Sequence, residues 1–367
     1  MDYQARLEWL SKKLAEQEAD GMIVGGFTSI ERSRIPNVEY LCGFTGSEGT
    51  VIAGPQGAFL ITDGRYTIQA ANEVKGAEVR IFETSADRPE LLQRSASDAG
   101  ITRAAFESGI VSVDGLNDLK GYLPEVELVP VKDVVEELRQ VKQPEEIELI
   151  REAAKMADAA FEWIVGKVEV GKTERDLALD LEMYIRRNGA EAVSFDSIVA
   201  AAERSALPHA DPTNREVEKG HFLLLDFGCL FKGYCSDLTR TVAVGPVDDR
   251  HHQVYEAVLA SNEAGIAAVK PGAGGHDVDA AARGVLEEAG FGDAFAHGLG
   301  HAVGLEVHES PRLTRGSEDV LIAGNVVTIE PGAYFEGWGG VRIEDLVLVT
   351  QNGADVLSSA PKDLIQL

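Results

Sequence analysis

Apolar residues recur every three or four positions along residues 3–18, with Leu7, Leu10 and Leu14 on one face and Gly21 just beyond. That period predicts an amphipathic helix stopped by glycine. Short β-rich runs follow, MIVGG (22–26), GTVIAG (49–54) and AFLITDG (58–64), separated by glycine and proline. Helix and strand alternating in short units predicts an α/β domain. A second, longer helical period begins at Pro144 and places Ile147, Ile150, Ala154, Ala157, Phe161 and Ile164 on one face. Proline suits a first helical position, and Glu145, Glu146 and Glu148 suit the positive end of the helix dipole. The seam is expected here, dividing the chain into 1–135 and 136–367. Beyond it, Thr173 with Asp176 predicts a capping box, and 250–270 and 276–289 predict two more helices, the latter ended by Gly290. Strand-rich blocks at 221–245 and 325–350 complete an α+β pattern.

The 367 residues carry 34 Lys+Arg against 61 Asp+Glu, a net charge of -27. So acidic a surface repels nucleic acid and anionic membranes, and neither is an expected partner. The three cysteines, Cys42, Cys229 and Cys235, are too few for a disulfide framework. No apolar run is long enough to span a membrane, and MDYQARLEWL does not read as a signal peptide. A cytoplasmic protein is expected.

Carboxylates inside apolar runs change the picture. HFLLLDFGCLFKGYCSDLTRTVAVG reads as a β-hairpin turning at Lys232-Gly233. A four-residue loop, Leu230–Gly233, would set Asp226 directly opposite Asp237. Like charges facing across strands destabilise a sheet, so a buried pair calls for a shared proton or for cations. HGLGHAVGLEVHE holds His297, His301 and His308, but its glycines argue for an extended ribbon rather than a zinc-binding helix. Glu330 ends the apolar run VVTIEPGAY. In GGVRIEDLVLV, Arg342 and Glu344 share a strand face with Leu346 and Leu348, which predicts burial. Two aspartates, two glutamates and one histidine balance two divalent cations. Such an oxygen-rich set favours manganese, cobalt, iron or zinc.

LLDFGCLFKGYCSDLTRT, HGLGHAVGLEVHE, TIEPGAY and GGVRIED, in this order, resemble the pita-bread metallopeptidases. These include methionine aminopeptidases, Xaa-Pro aminopeptidases (aminopeptidase P), Xaa-Pro dipeptidases (prolidases) and the metal-free creatinases. The resemblance implies two divalent metals, manganese first with cobalt, zinc or iron as alternatives. It assigns them to Asp226, Asp237, His301, Glu330 and Glu344, a set that creatinase lacks. RIPNVEYLCGFTGSEGTVIAG and ITDGRYTIQA resemble the creatinase-type N-terminal domain of the proline-specific members, which methionine aminopeptidases lack. SFDSIVAAAERSALPHADPTN resembles the segment that carries a substrate-side histidine, here His209. Within it, AAAERSA departs from a commoner small-residue and glycine pattern.

The implied fold is an α/β creatinase-like N-terminal domain (1–135) and an α+β pita-bread catalytic domain (136–367). The implied reaction is hydrolysis of the bond before a proline. Glu330 would act as general acid/base, and His209 and His308 would hydrogen-bond the carbonyl oxygen. Arg342 would orient the cluster, and Phe195 and His297 would form the pocket. FTGSEGT and TDGRYTIQA resemble Xaa-Pro aminopeptidases, whereas Arg312, four residues after His308, resembles the carboxylate-binding arginine of prolidases. The expectation is an Xaa-Pro aminopeptidase acting on small peptides with proline in second position. Prolidase is the alternative, and a catalytically inactive pita-bread binding module is the reading from a different class. By the same resemblance a homodimer is expected.

Overall fold

The computed structural model describes residues 1–28 and 33–367, which divide into Met1–Arg139 and Gln140–Leu367. In the first unit, strands β1 (Gly21–Val24), β2 (Thr50–Gly54), β3 (Gly57–Asp63), β4 (Glu78–Phe82), β5 (Arg103–Glu107) and β6 (Glu127–Val131) form one sheet, ordered β4-β3-β2-β1-β5-β6. Its pairings are parallel except at β1–β2 and β2–β3. The first helix, Tyr3–Glu16, starts where Asp2 accepts from the Ala5 amide, and it buries Leu7, Leu10 and Leu14 as its period predicts. Gly21 is required for packing, since a Cβ there would sit 2.4 Å from Ile101.

In the second unit, helix Pro144–Val165 closes a capping box between Gln143 and Glu146, and Thr173 and Asp176 cap helix Glu174–Arg187 reciprocally. Helices Asp249–Ala268 and Gly275–Glu288 follow. The remaining strands are β7 (Ala192–Val193), β8 (Ile198–Ala201), β9 (His221–Phe227), β10 (Cys229–Phe231), β11 (Tyr234–Cys235) and β12 (Leu238–Val244). After them come β13 (Gly300–Ala302), β14 (Glu309–Leu313), β15 (Val326–Ile329), β16 (Gly332–Phe335), β17 (Gly339–Arg342), β18 (Asp345–Val349) and β19 (Ala354–Val356). They build a five-stranded sheet, β14-β13-β15-β18-β19, two of three strands, β12-β9-β8 and β11-β10-β7, and the pair β16–β17. Helices on largely antiparallel sheets make this an α+β unit.

Two expectations are corrected. The hairpin turns on Lys232-Gly233 alone, both with positive φ (46° and 85°), so Phe231 pairs with Tyr234 and Asp226 pairs with Thr239 rather than Asp237. A two-residue loop with two left-handed positions matches the twist of its strands better than the four-residue loop expected. A shift of two residues preserves the face, so Asp226 and Asp237 become diagonal neighbours on one side. Second, GGVRIEDLVLV is not one alternating strand: the chain leaves β17 at Arg342 and enters a different sheet at Asp345, and every residue from Gly339 to Val347 is buried.

All three cysteines are buried and free. Among the described residues no helix is long and apolar enough to cross a membrane.

Candidate active site

Strand breaks place the carboxylates. β15 pairs with β18 through Ile329 and Asp345, and β16 pairs with β17 through Gly332 and Arg342. Carried across the break, that register sets Glu330 opposite Glu344, where the chain passes between sheets. This is the facing like-charge pair that the sequence suggested for the aspartates. Asp226, in the central strand of its sheet, and Asp237, just before β12, complete the cluster. Asp226, Asp237 and Glu344 each present an oxygen within 4.8 Å of the others, all buried.

His301 on β13 joins them, with Nε2 3.3 Å from Glu330 Oε1 and 3.8 Å from Asp237 Oδ2. Its Nδ1 lies 3.1 Å from the Ala302 carbonyl. A carbonyl only accepts, so Nδ1 carries a proton and Nε2 is the ring nitrogen that faces the carboxylates.

The residues fit divalent metal ions on a further count. Asp226 Oδ1 and Glu344 Oε1 are buried without any hydrogen-bond partner, whereas their sister oxygens are held by Arg342 and Thr239. An orphaned anionic oxygen is costly in a protein interior unless a cation completes it. Electrostatics agree. Burial, followed by the neighbouring carboxylates, drives Asp237 and Glu344 well above the usual carboxylate range, and burial raises Asp226 against the pull of Arg342. Burial also opposes ionising Glu330, but the His301 hydrogen bond and the charges of His301, His297 and Arg342 outweigh it and hold Glu330 at about 2.

Phe195, His209, Asp226, Asp237, His297, His301, His308, Arg312, Glu330, Arg342 and Glu344 all line one cavity of about 480 Å³. The structure thus gathers every residue picked out from the sequence. His308 packs against His301 with ring centroids 4.4 Å apart. Partial burial, then His301 and Arg312, lower it to about 4, so its ring is neutral at ordinary pH. His297 has both nitrogens engaged, Nδ1 with the Gly298 carbonyl at 2.7 Å and Nε2 with the Tyr334 hydroxyl at 2.9 Å. It therefore meets the cavity as a wall. The exposed side chain of Arg312 stands at the rim, and among the described residues no carboxylate lies within ion-pair distance of its guanidinium.

Arg342 is buried and reaches three ways: to Asp226, to Thr239 Oγ1 (3.1 Å) and to the Tyr334 hydroxyl (2.7 Å).

Sequence reasoning passed over the supports. Thr239 donates to Glu344 Oε2 at 2.7 Å, and Thr328 receives the His301 amide at 3.0 Å. Asn262, fully buried on helix Asp249–Ala268, donates to the carbonyls of Ile329 and Ile343 at 2.9 and 3.3 Å. Those residues immediately precede the two facing glutamates. The available signal was the parity of Asp237, Thr239 and Thr241 in one strand run; Asn262 had none.

Residues 148–351 match metallopeptidase family M24, and residues 6–141 match the creatinase/prolidase N-terminal domain. The chain belongs to metallopeptidase family M24. An M24 relative named Xaa-Pro dipeptidase, from Pyrococcus furiosus, is 35% identical over 98% of this chain and 99% of its own. Among solved structures, the Xaa-Pro dipeptidase from Bacillus anthracis superposes with a TM-score of 0.94 at 37% identity, covering 100% of both chains. The X-Pro aminopeptidase from Thermotoga maritima gives 0.90 at 34%, covering 97% of this chain and 100% of that one. The two-domain architecture expected from the resemblance, creatinase-like α/β followed by pita-bread α+β, is the one observed.

Proposed function

We propose that this M24 metallopeptidase is an Xaa-Pro dipeptidase, cleaving the bond before a C-terminal proline. This reverses the preference for the aminopeptidase drawn from FTGSEGT and TDGRYTIQA. The observation that carries it is Arg312: a guanidinium at the cavity rim without an ion-pair partner among the described residues, in a chain with a net charge of -27. Among so many carboxylates an arginine finds a partner easily, and one left open at a binding cavity suits a substrate carboxylate. The dipeptidases among the relatives support the same reading.

Asp226, Asp237, His301, Glu330 and Glu344 would hold two divalent ions, and this oxygen-rich set suits manganese, cobalt, iron or zinc. Bound there, such ions polarise the scissile carbonyl and make water nucleophilic near neutral pH. The protein's own groups do the rest. Glu330, whose carboxylate lines the cavity beside His301, accepts the proton of the attacking water and returns it to the departing proline nitrogen. His308, neutral, donates to the carbonyl oxygen as negative charge develops, and His209 faces the same space. Arg342 fixes Asp226, and through Tyr334 it fixes the His297 wall. Phe195 and His297 enclose the proline ring, whose nitrogen offers no N–H for recognition.

The test compares kcat/KM on an Xaa-Pro dipeptide with that on an Xaa-Pro-Yaa tripeptide, in the parent and in Arg312→Ala. The expected result is a strong dipeptide preference that collapses in the variant through KM. A tripeptide preference indifferent to Arg312 restores the aminopeptidase reading. Absence of hydrolysis with every divalent metal tried returns the chain to the inactive binding module.

A further inference from the structure

The segment from Ala201 to Thr213 supplies Pro208, His209, Ala210 and Asp211 to the cavity, and both of its ends are tied to one carboxylate. Glu174, at the start of helix Glu174–Arg187, has a completely buried side chain. Its Oε1 accepts from the Ala201 amide at 2.9 Å, and its Oε2 accepts from the Thr213 amide and hydroxyl at 2.9 and 2.7 Å. Arg204 Nε bridges both oxygens at 3.0 Å, and the same guanidinium donates to the Asp211 carbonyl at 2.7 Å, two residues past His209. Midway, Ser205 Oγ receives the Gly340 amide at 2.8 Å and fastens the segment to β17. Neither Glu174 nor Arg204 lines the cavity. A carboxylate saturated by a single loop holds shape and does no chemistry.

We propose that Glu174 and Arg204 are positioning residues, a clasp that closes the 201–213 loop and thereby aims His209 at the substrate carbonyl. The proposal rests on the Xaa-Pro peptidase reading above and names what sets its turnover. Aiming matters because a displacement of about 1 Å in a catalytic contact costs up to about a hundredfold in rate.

The experiment uses the full-length protein loaded with manganese, as Glu174→Gln, Arg204→Met and Arg204→Lys, each also combined with His209→Ala. Arg204 keeps 25% of its side chain exposed, so its variants guard against a misfolded Glu174→Gln. The readouts are kcat and KM on an Xaa-Pro dipeptide, manganese per chain, and amide hydrogen exchange over residues 201–213.

Expected are a roughly tenfold to hundredfold fall in kcat, with KM within about threefold and manganese content at the parent value. Exchange over 201–213 should quicken. Arg204→Lys, which keeps the charge but loses the reach to Asp211, should fall between parent and Arg204→Met. In the His209→Ala background each substitution should change kcat less than about twofold, because the residue it aims is gone. Additive losses there, or unchanged exchange in the clasp variants, overturn the proposal. Should the parent hydrolyse no Xaa-Pro peptide, the function reading fails while hydrogen exchange still decides whether the clasp holds the loop.

Discussion

Replacing Asn262 with alanine isolates how the two facing glutamates are held apart. The amide nitrogen of Asn262 serves the carbonyls of Ile329 and Ile343, and its oxygen receives Lys362 Nζ at 3.0 Å. Lys362 keeps a second partner in Asp345 at 3.0 Å, so the loss falls on the carbonyls. A buried polar group stripped of its partner costs about 1–3 kcal/mol, and one of these bonds is long, which gives about 2–4 kcal/mol for Asn262→Ala. For a unit of this size that is roughly a 5–15 °C drop in Tm. The carbonyls precede Glu330 and Glu344 directly, so metal affinity should fall as well, by about tenfold to a hundredfold. Calorimetric unfolding of the metal-free protein and isothermal titration with manganese measure the two effects. Lys362→Met is the control, since it leaves both carbonyls served. A Tm within 2 °C of the parent together with affinity within about twofold would refute the bracing argument.

Ala202 holds φ +53°, a left-handed position in the segment where glycine is the commoner choice. Ala202→Gly should relieve about 0.5–1 kcal/mol and raise Tm by roughly 1–3 °C, and a fall would count against strain there. His308→Ala should lower kcat by about two to three orders of magnitude with metal stoichiometry intact, whereas His301→Ala should lose metal; equal metal loss in both would merge their roles. Burial and charge crowding hold Asp237 and Glu344 above their unfolded range, so the metal-free fold keeps protons that the unfolded chain releases. Its Tm should therefore fall as pH rises above about 6.5, and Glu107, pushed up to about 7 by burial, adds in the same sense. Glu330, held at about 2, acts oppositely at pH below its unfolded value, and His297 and His308, lowered by burial, act oppositely up to about pH 6.5. Asp237→Asn should flatten the slope, and manganese binding should release protons and weaken toward acid pH; a Tm that climbs from pH 6.5 to 8 in the metal-free protein would contradict this.

Much of this was legible because burial and charge are at odds in particular places. Asp226 sits between Leu225 and Phe227, and Glu330 follows Ile329, so each carboxylate was visible as an anomaly in an apolar run. The helices were legible from period and caps, down to the reciprocal Thr173–Asp176 pair. Strand register was not, because Lys232-Gly233 suits both a two-residue turn and the end of a longer one. The cluster survived that error only because a two-residue slip leaves side chains on the same face. The sheet change between Arg342 and Asp345 was hidden, since an alternating pattern has no meaning where both faces are buried. Asn262, Tyr334 and Glu174 were hidden for another reason: their partners lie far along the chain, and nothing in their neighbours marks them.

The cluster and the surrounding cavity differ in how they are built. Asp226, His301, Glu330 and Glu344 lie in paired strands or at their immediate ends, each locked by ladders and buried hydrogen bonds. Phe195 stands on a connecting segment, and Arg312 is an exposed residue on β14, which forms one edge of its sheet. Descendants of this chain could therefore exchange one preferred peptide for another by altering loops and an edge, while the apparatus that breaks the bond stays untouched. Divergent appetites on a common chemistry are the expected inheritance of such a layout.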